Sequence, residues 1–112
     1  MNTSLLVQAL QDMGFDARVE PRVSGIAIDQ YPVQIGSHAG EAVDLAFAID
    51  YPFTPPVGLH IRANFGTIGQ NNVSPSALGA DWQYWSRRYV EWRSDRSPHS
   101  IIAYVNRVLR DA

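Results

Sequence analysis

The sequence predicts an α+β domain made of an N-terminal helix, a four-stranded antiparallel meander, a long ordered loop and a C-terminal helix. Three observations carry this reading: apolar residues recur at helical spacing at both ends of the chain, two-residue alternation fills the stretch between, and Gly and Pro punctuate the joins. A chain of 112 residues with 46% hydrophobic content can bury one core without covalent staples, so a single domain over residues 1–112 is expected.

Leu5, Leu6, Ala9, Leu10 and Met13 share one helical face, and Thr3 or Asn2 is a candidate cap. Gly14 followed by Phe15 fits a helix stop, which bounds the first helix at residues 3–13. Strands follow at Phe15 to Glu20, at Gly25 to Ile35 with a break at Pro32, and at Glu41 to Ile49. In the third, Val43, Leu45, Phe47 and Ile49 alternate with Ala42, Asp44, Ala46 and Ala48, so one face is bulky and the other shallow. A fourth strand, Val57 to Ala63, sends Leu59 and Ile61 one way and His60 and Arg62 the other. The terminal helices are the available cover for the apolar face of such a sheet.

Residues Asn64 to Ala80 show no sustained period and are rich in Gly, Asn and Ser, which reads as a long ordered loop. The last element is a helix with Ser97 as its cap and Pro98 at its first position. Ile101, Ile102, Val105, Val108 and Leu109 form its apolar stripe, with Arg107 and Arg110 in its last turn.

Composition excludes several function classes. The chain has no cysteine, which removes disulfides, thiolate metal sites and every thiol mechanism. A net charge of −2 supplies no field for a phosphate backbone, so nucleic acid is not an expected partner. The first thirteen residues carry neither a basic leader nor a continuous apolar run, and no stretch is long enough to span a bilayer, so a cytoplasmic, membrane-free protein is expected. All nine basic side chains are Arg. Codon usage in a GC-rich genome accounts for this most simply, although a protein working beside activated acyl groups also gains by lacking amines.

Tyr51-Pro52-Phe53-Thr54-Pro55-Pro56 lies between the third and fourth strands, and its three prolines fix φ and remove three backbone donors. This corner can neither join a ladder nor bend freely. In the order helix, strand, strand, strand, corner, strand, the segment resembles the ubiquitin-conjugating (E2) superfamily, whose members carry a Tyr-Pro-x-x-Pro-Pro corner at that place. The resemblance extends over about residues 3–110. It includes Asp44 to Arg62, Asp81-Trp82-Gln83-Tyr84-Trp85-Ser86-Arg87-Arg88 and Trp92-Arg93, which look like prokaryotic E2-like families encoded beside ubiquitin-like, E1-like and deubiquitinase genes. It implies the UBC-like fold, with Tyr51, Pro52, Pro55 and Pro56 as the fold motif. The corner also fits cysteine-less relatives, namely RWD domains and E2 variants that act as cofactors.

The chain departs from an active E2 at the reacting position. In that family a cysteine follows the fourth strand, preceded by His-Pro-Asn and followed by Leu and Trp at fixed offsets. Here Ser74, Leu78 and Trp82 reproduce the offsets, while counting from Pro56 places Ser76 near the same spot. There is no His-Pro-Asn; Asn64, Asn71 and Asn72 are the nearby amide donors. Ser74-Pro75-Ser76 is either a turn without chemistry or the site of a serine oxyester carrier. The carrier needs a base, for which Asp81, His60 and His99 are candidates. The first helix exposes Asn2, Gln8, Gln11 and Asp12 where an E2 offers basic side chains to its E1, which speaks against a standard handoff.

The resemblance therefore implies an E2-fold component of a prokaryotic ubiquitin-like conjugation pathway. It would bind a ubiquitin-like protein, an E1-like enzyme or another E2 without a thioester. The alternatives are an acyl carrier on Ser74 or Ser76 and an RWD-like interaction module. His38, His60 and His99 lack metal-ligand spacing, and Gly66-Thr67-Ile68-Gly69 lacks the Lys of a phosphate loop, so neither metal nor cofactor is expected. Trp82, Tyr84, Trp85, Tyr89 and Trp92 read mostly as core. Trp85, Arg87 and Arg88 are the partner-contact candidates, because Trp and Arg are enriched at binding hot spots.

Overall fold

The computed structural model describes residues 3–112, so the expected cap at Asn2 lies outside the described residues. Helix α1 covers Thr3–Asp12 and buries Leu6, Val7 and Leu10. It stops as its sequence predicts. Gly14 takes a φ of 95°, its N–H reaches the Gln11 carbonyl at 2.9 Å, and the Phe15 N–H reaches the Leu10 carbonyl at 3.0 Å, the paired bonds of a Schellman ending.

The strands are β1 (Asp16–Glu20), β2 (Gly25–Pro32), β3 (Ala42–Ala48), β4 (Gly58–Ile61), β5 (Val73–Ser76) and β6 (Gly79–Ser86). They form one sheet in the order β1-β2-β3-β4-β6-β5, and every neighbouring pair is antiparallel. Six strands, not the expected four, correct the sequence reading of residues 64–80 as loop throughout and of 81–88 as a lead-in to the last helix. The physical reason is tertiary. β6 satisfies the backbone groups along the far side of β4, and that pairing carries Trp85 into the core although the Asn, Ser and Pro around β5 have little strand preference of their own. β5 is then held on both sides. It pairs with β6, while the Val73 N–H and carbonyl bond Gln70 and Gly69 of its own turn at 3.0 and 2.8 Å.

A bulge at β2 sets which residues reach the core. Gln30 has a φ of 53° and the β2–β3 register shifts between Ile28 and Tyr31. Tyr31 is thereby turned inward, and Gln30 is left to donate its backbone and side-chain N–H groups to the Asp44 carboxylate at 2.9 and 3.2 Å.

Helix α2 (Pro98–Asp111) begins where expected, with the Ser97 side chain accepting from the Ser100 N–H at 3.1 Å. Its buried stripe is Ile101, Tyr104, Val105, Val108 and Leu109. Both helices join the same apolar cluster as Ile26, Ile28, Leu45, Phe47, Leu59, Ile61 and Trp85, so they cover one face of the sheet. The other face carries no helix. Across it runs a row in register from β1 to β5: Arg18, Ala27, Ala46, His60, Tyr84 and Ser74.

The Tyr51 to Pro56 corner joins β3 to its antiparallel neighbour β4. Asp50 closes it by accepting from the N–H groups of Phe53 and Thr54 at 2.6 and 2.7 Å and donating its own N–H to the Thr54 carbonyl at 3.1 Å. The Tyr51-Pro52 peptide is cis.

Among the described residues, no helix is long and apolar enough to cross a membrane.

Candidate functional site

The open face of the sheet brings together two of the residues singled out in the sequence. His60, on β4, places Nδ1 2.7 Å from Oγ of Ser76, at the end of β5. Strands β4 and β5 are not neighbours, since β6 runs between them. Two strand spacings amount to about 9–10 Å, too far for residues lying flat in register. The register irregularity between Pro75 and Ser76, with Ser76 already opposite Gly79, marks where the hairpin end leaves that flat arrangement.

Ser76 Oγ has a second partner, the Leu78 N–H at 3.0 Å. That bond occupies one lone pair and leaves the hydroxyl hydrogen for His60. The imidazole is half-buried, and burial lowers its pKa from the ordinary histidine value, so it is neutral at pH 7. Tyr84, directly opposite His60 on β6, tilts against it with ring centroids 4.6 Å apart. Tyr84 itself lies over Gly58, where an added Cβ would sit 2.7 Å from the phenol carbon and hydroxyl. The glycine opens the space that lets the phenol flank the histidine. Burial raises the Tyr84 phenol, so it stays protonated beside the imidazole.

The other sequence candidates fall elsewhere. Ser74 is half-buried in the middle of β5, opposite Tyr84. Asp81 is exposed and pairs with Arg62 at 3.9 Å, and His99 is exposed at the start of α2. His38 stacks on Phe65 with centroids 3.7 Å apart and bonds Glu41 at 2.9 Å, binding two loops together. Among the described residues, no group of histidines and carboxylates could hold a metal. Asn64 is committed to accepting from the Gln83 amide at 3.0 Å, while Asn71 and Asn72 take left-handed φ values of 53° and 59° ahead of β5.

Gln83 is a buried polar residue that sequence reasoning missed. It is 6% exposed, accepts from the Gly66 N–H at 3.0 Å and the Trp85 indole at 3.3 Å, and donates to the Gly66 carbonyl at 2.7 Å. This satisfied amide orders the segment that begins at Asn64. A cavity of about 410 Å³ opens beside it at the ends of β4 and β6, lined by Ala63, Asn64, Ile68, Ala80, Asp81 and Trp82 as well as Gln83; neither Ser76 nor His60 lines it.

Of the partner-contact candidates, Trp85 is 4% exposed on the core face, so its ring has no area to give a partner. Arg87 lies over that ring at 5.1 Å and donates to the carbonyls of Asn71 and Ser86 at 2.9 and 2.7 Å. Arg88 is exposed. The larger apolar exposure is at the corner, where Phe53 is 70% and Val57 60% exposed. Val57 lines a cavity of about 290 Å³ together with Ala48, Ile49, Thr54 and Pro55.

Comparison of the chain with protein-family models, curated proteins and solved structures finds no match.

Proposed function

We propose that the chain is an E2-like domain of a prokaryotic ubiquitin-like conjugation pathway. In this reading it binds a ubiquitin-like protein, an E1-like enzyme or a partner E2, carries no thioester and needs no cofactor. The observation that carries the reading is the Tyr51, Pro52, Pro55, Pro56 corner joining two adjacent antiparallel strands, with α1 ahead of the sheet and α2 after it. The absence of cysteine rules out a thioester on this chain. The β5–β6 hairpin occupies the chain position where an E2 has its cysteine-bearing loop.

The surface that fits a protein partner is the corner itself. Phe53 and Val57 are exposed apolar side chains on a stiff support, Val57 at the edge of a recess, and apolar side chains held rigidly in this way lose little entropy on docking.

Isothermal titration of the chain with the ubiquitin-like and E1-like proteins encoded in its genomic neighbourhood tests this. The expected result is saturable binding without a covalent adduct, weakened at least about fivefold by Phe53→Ala, a loss of about 1 kcal/mol. A neighbourhood lacking such genes, or no binding to any of their products, overturns it.

A further inference from the structure

We infer that Ser76 is a nucleophile, with His60 as its base, and that it accepts an acyl group from an activated ester or thioester. The pair rests on geometry independent of the corner and its partner. Nδ1 of His60 and Oγ of Ser76 are 2.7 Å apart on the helix-free face, and both are half-buried. A serine hydroxyl is a weak nucleophile until a base lies within hydrogen-bond reach, and a base is useful at neutral pH only while unprotonated. Burial of the imidazole meets the second condition.

The step balances as follows. With the ring in its Nε2–H tautomer, Nδ1 takes the hydroxyl proton while Oγ forms a bond to the acyl carbon. The bond from that carbon to the leaving oxygen or sulfur breaks, the leaving group departs with its electron pair, and His60 returns the proton to it or to solvent. The product is a serine ester. The Leu78 N–H, 3.0 Å from Oγ, favours the developing negative charge on that oxygen. Tyr84 holds the ring from one side, and its protonated phenol does not compete for the acyl group. Among the described residues no hydrogen bond reaches Nε2, so the base works without a carboxylate behind it and the acceleration is that of a dyad.

The chain suits the test, because a protein whose nine basic residues are all Arg has no lysine to take the acyl group first. The probe is p-nitrophenyl acetate, with p-nitrophenolate release followed by absorbance and the acetyl group located by peptide mass spectrometry. The expected result is a burst of one equivalent and an adduct on Ser76, kept in Ser74→Ala and lost in Ser76→Ala. His60→Gln should slow the burst about 100-fold or more while leaving thermal unfolding in place. The burst rate of the unaltered chain should rise with pH through one ionisation lowered from the ordinary histidine value.

Acetylation spread over tyrosines and the amino terminus with none on Ser76 overturns the inference. So does a burst indifferent to His60→Gln. Mapping the unaltered protein decides the matter even where a variant does not fold. Since the donor is a small molecule, failure of partner binding leaves this result standing, and the reverse is equally true.

Discussion

The Tyr51 hydroxyl donates to the carbonyl of Arg96 at 2.6 Å, and the Arg96 guanidinium returns a bond to the Pro52 carbonyl at 3.1 Å. These residues lie far apart in sequence, so the corner after β3 and the segment that enters α2 are clamped to each other. Tyr51 also meets Trp92 edge to face, with centroids 6.3 Å apart. Tyr51→Phe keeps the ring contact and removes the bond. It should lower stability by about 0.5–1.5 kcal/mol, read as a lower urea midpoint at unchanged slope.

Glu20 responds to acid. Only 5% exposed, it accepts from the Arg22 side chain at 2.7 and 3.1 Å and from Arg18 at 3.2 Å, and the Arg22 guanidinium holds its carboxyl down at about 2. A carboxyl lowered on folding contributes stability that is present above its ordinary value of 4.5 and is lost as pH falls toward 2. Acid unfolding followed by circular dichroism should therefore steepen across that window. In Glu20→Gln this part of the pH dependence should vanish.

Tyr31 behaves oppositely. Burial pushes its phenol up from 10.0 to about 12, and the hydroxyl donates to the Asn106 amide oxygen. A proton held more tightly in the folded state gives stability that is present below pH 10 and fades as pH rises through about 12. Burial also raises Tyr104, so ultraviolet titration of tyrosinate should show late-ionising phenols whose amplitude falls by one tyrosine in Tyr31→Phe.

Gly25 is a steric prediction. A Cβ there would sit 1.9 Å from the Phe47 carbonyl oxygen and 2.8 Å from the Ala48 Cα, both main-chain atoms of the neighbouring strand. Gly25→Ala must push β2 and β3 apart at their end, and should cost about 1–3 kcal/mol or more, measurable as a lower thermal midpoint.

Much of the fold was legible because its signals are local. Leu6, Leu10 and Gly14 announce α1, Ser97 and Pro98 announce α2, and the alternation from Val43 to Ile49 assigns both faces of β3. Strands β5 and β6 were not legible. Ser74-Pro75-Ser76 has turn chemistry, and it is extended only because Tyr84 and Gln83 pair with it from the next strand. The candidate site shares that blindness. His60, Ser74 and Ser76 stood out as residue types, but choosing Ser76 over Ser74 and His60 over Asp81 or His99 depends on a register shift that no sequence spacing encodes. Hot-spot enrichment made Trp85 a partner candidate, but residue type says nothing about which side of β6 it occupies, and it lies in the core.

The bonds from Val73 to Gly69 and Gln70 have an effect on growth of the sheet. With Val73 already saturated and Pro75 lacking an N–H, the outer border of β5 has little left to offer an incoming peptide, and at the opposite border the Gln11 side chain already occupies the Ala17 carbonyl at 2.9 Å. An extended chain therefore finds poor purchase for adding a seventh strand beside β5. That leaves the helix-free surface, where the imidazole and the hydroxyl lie, as the broad approach to this end of the sheet.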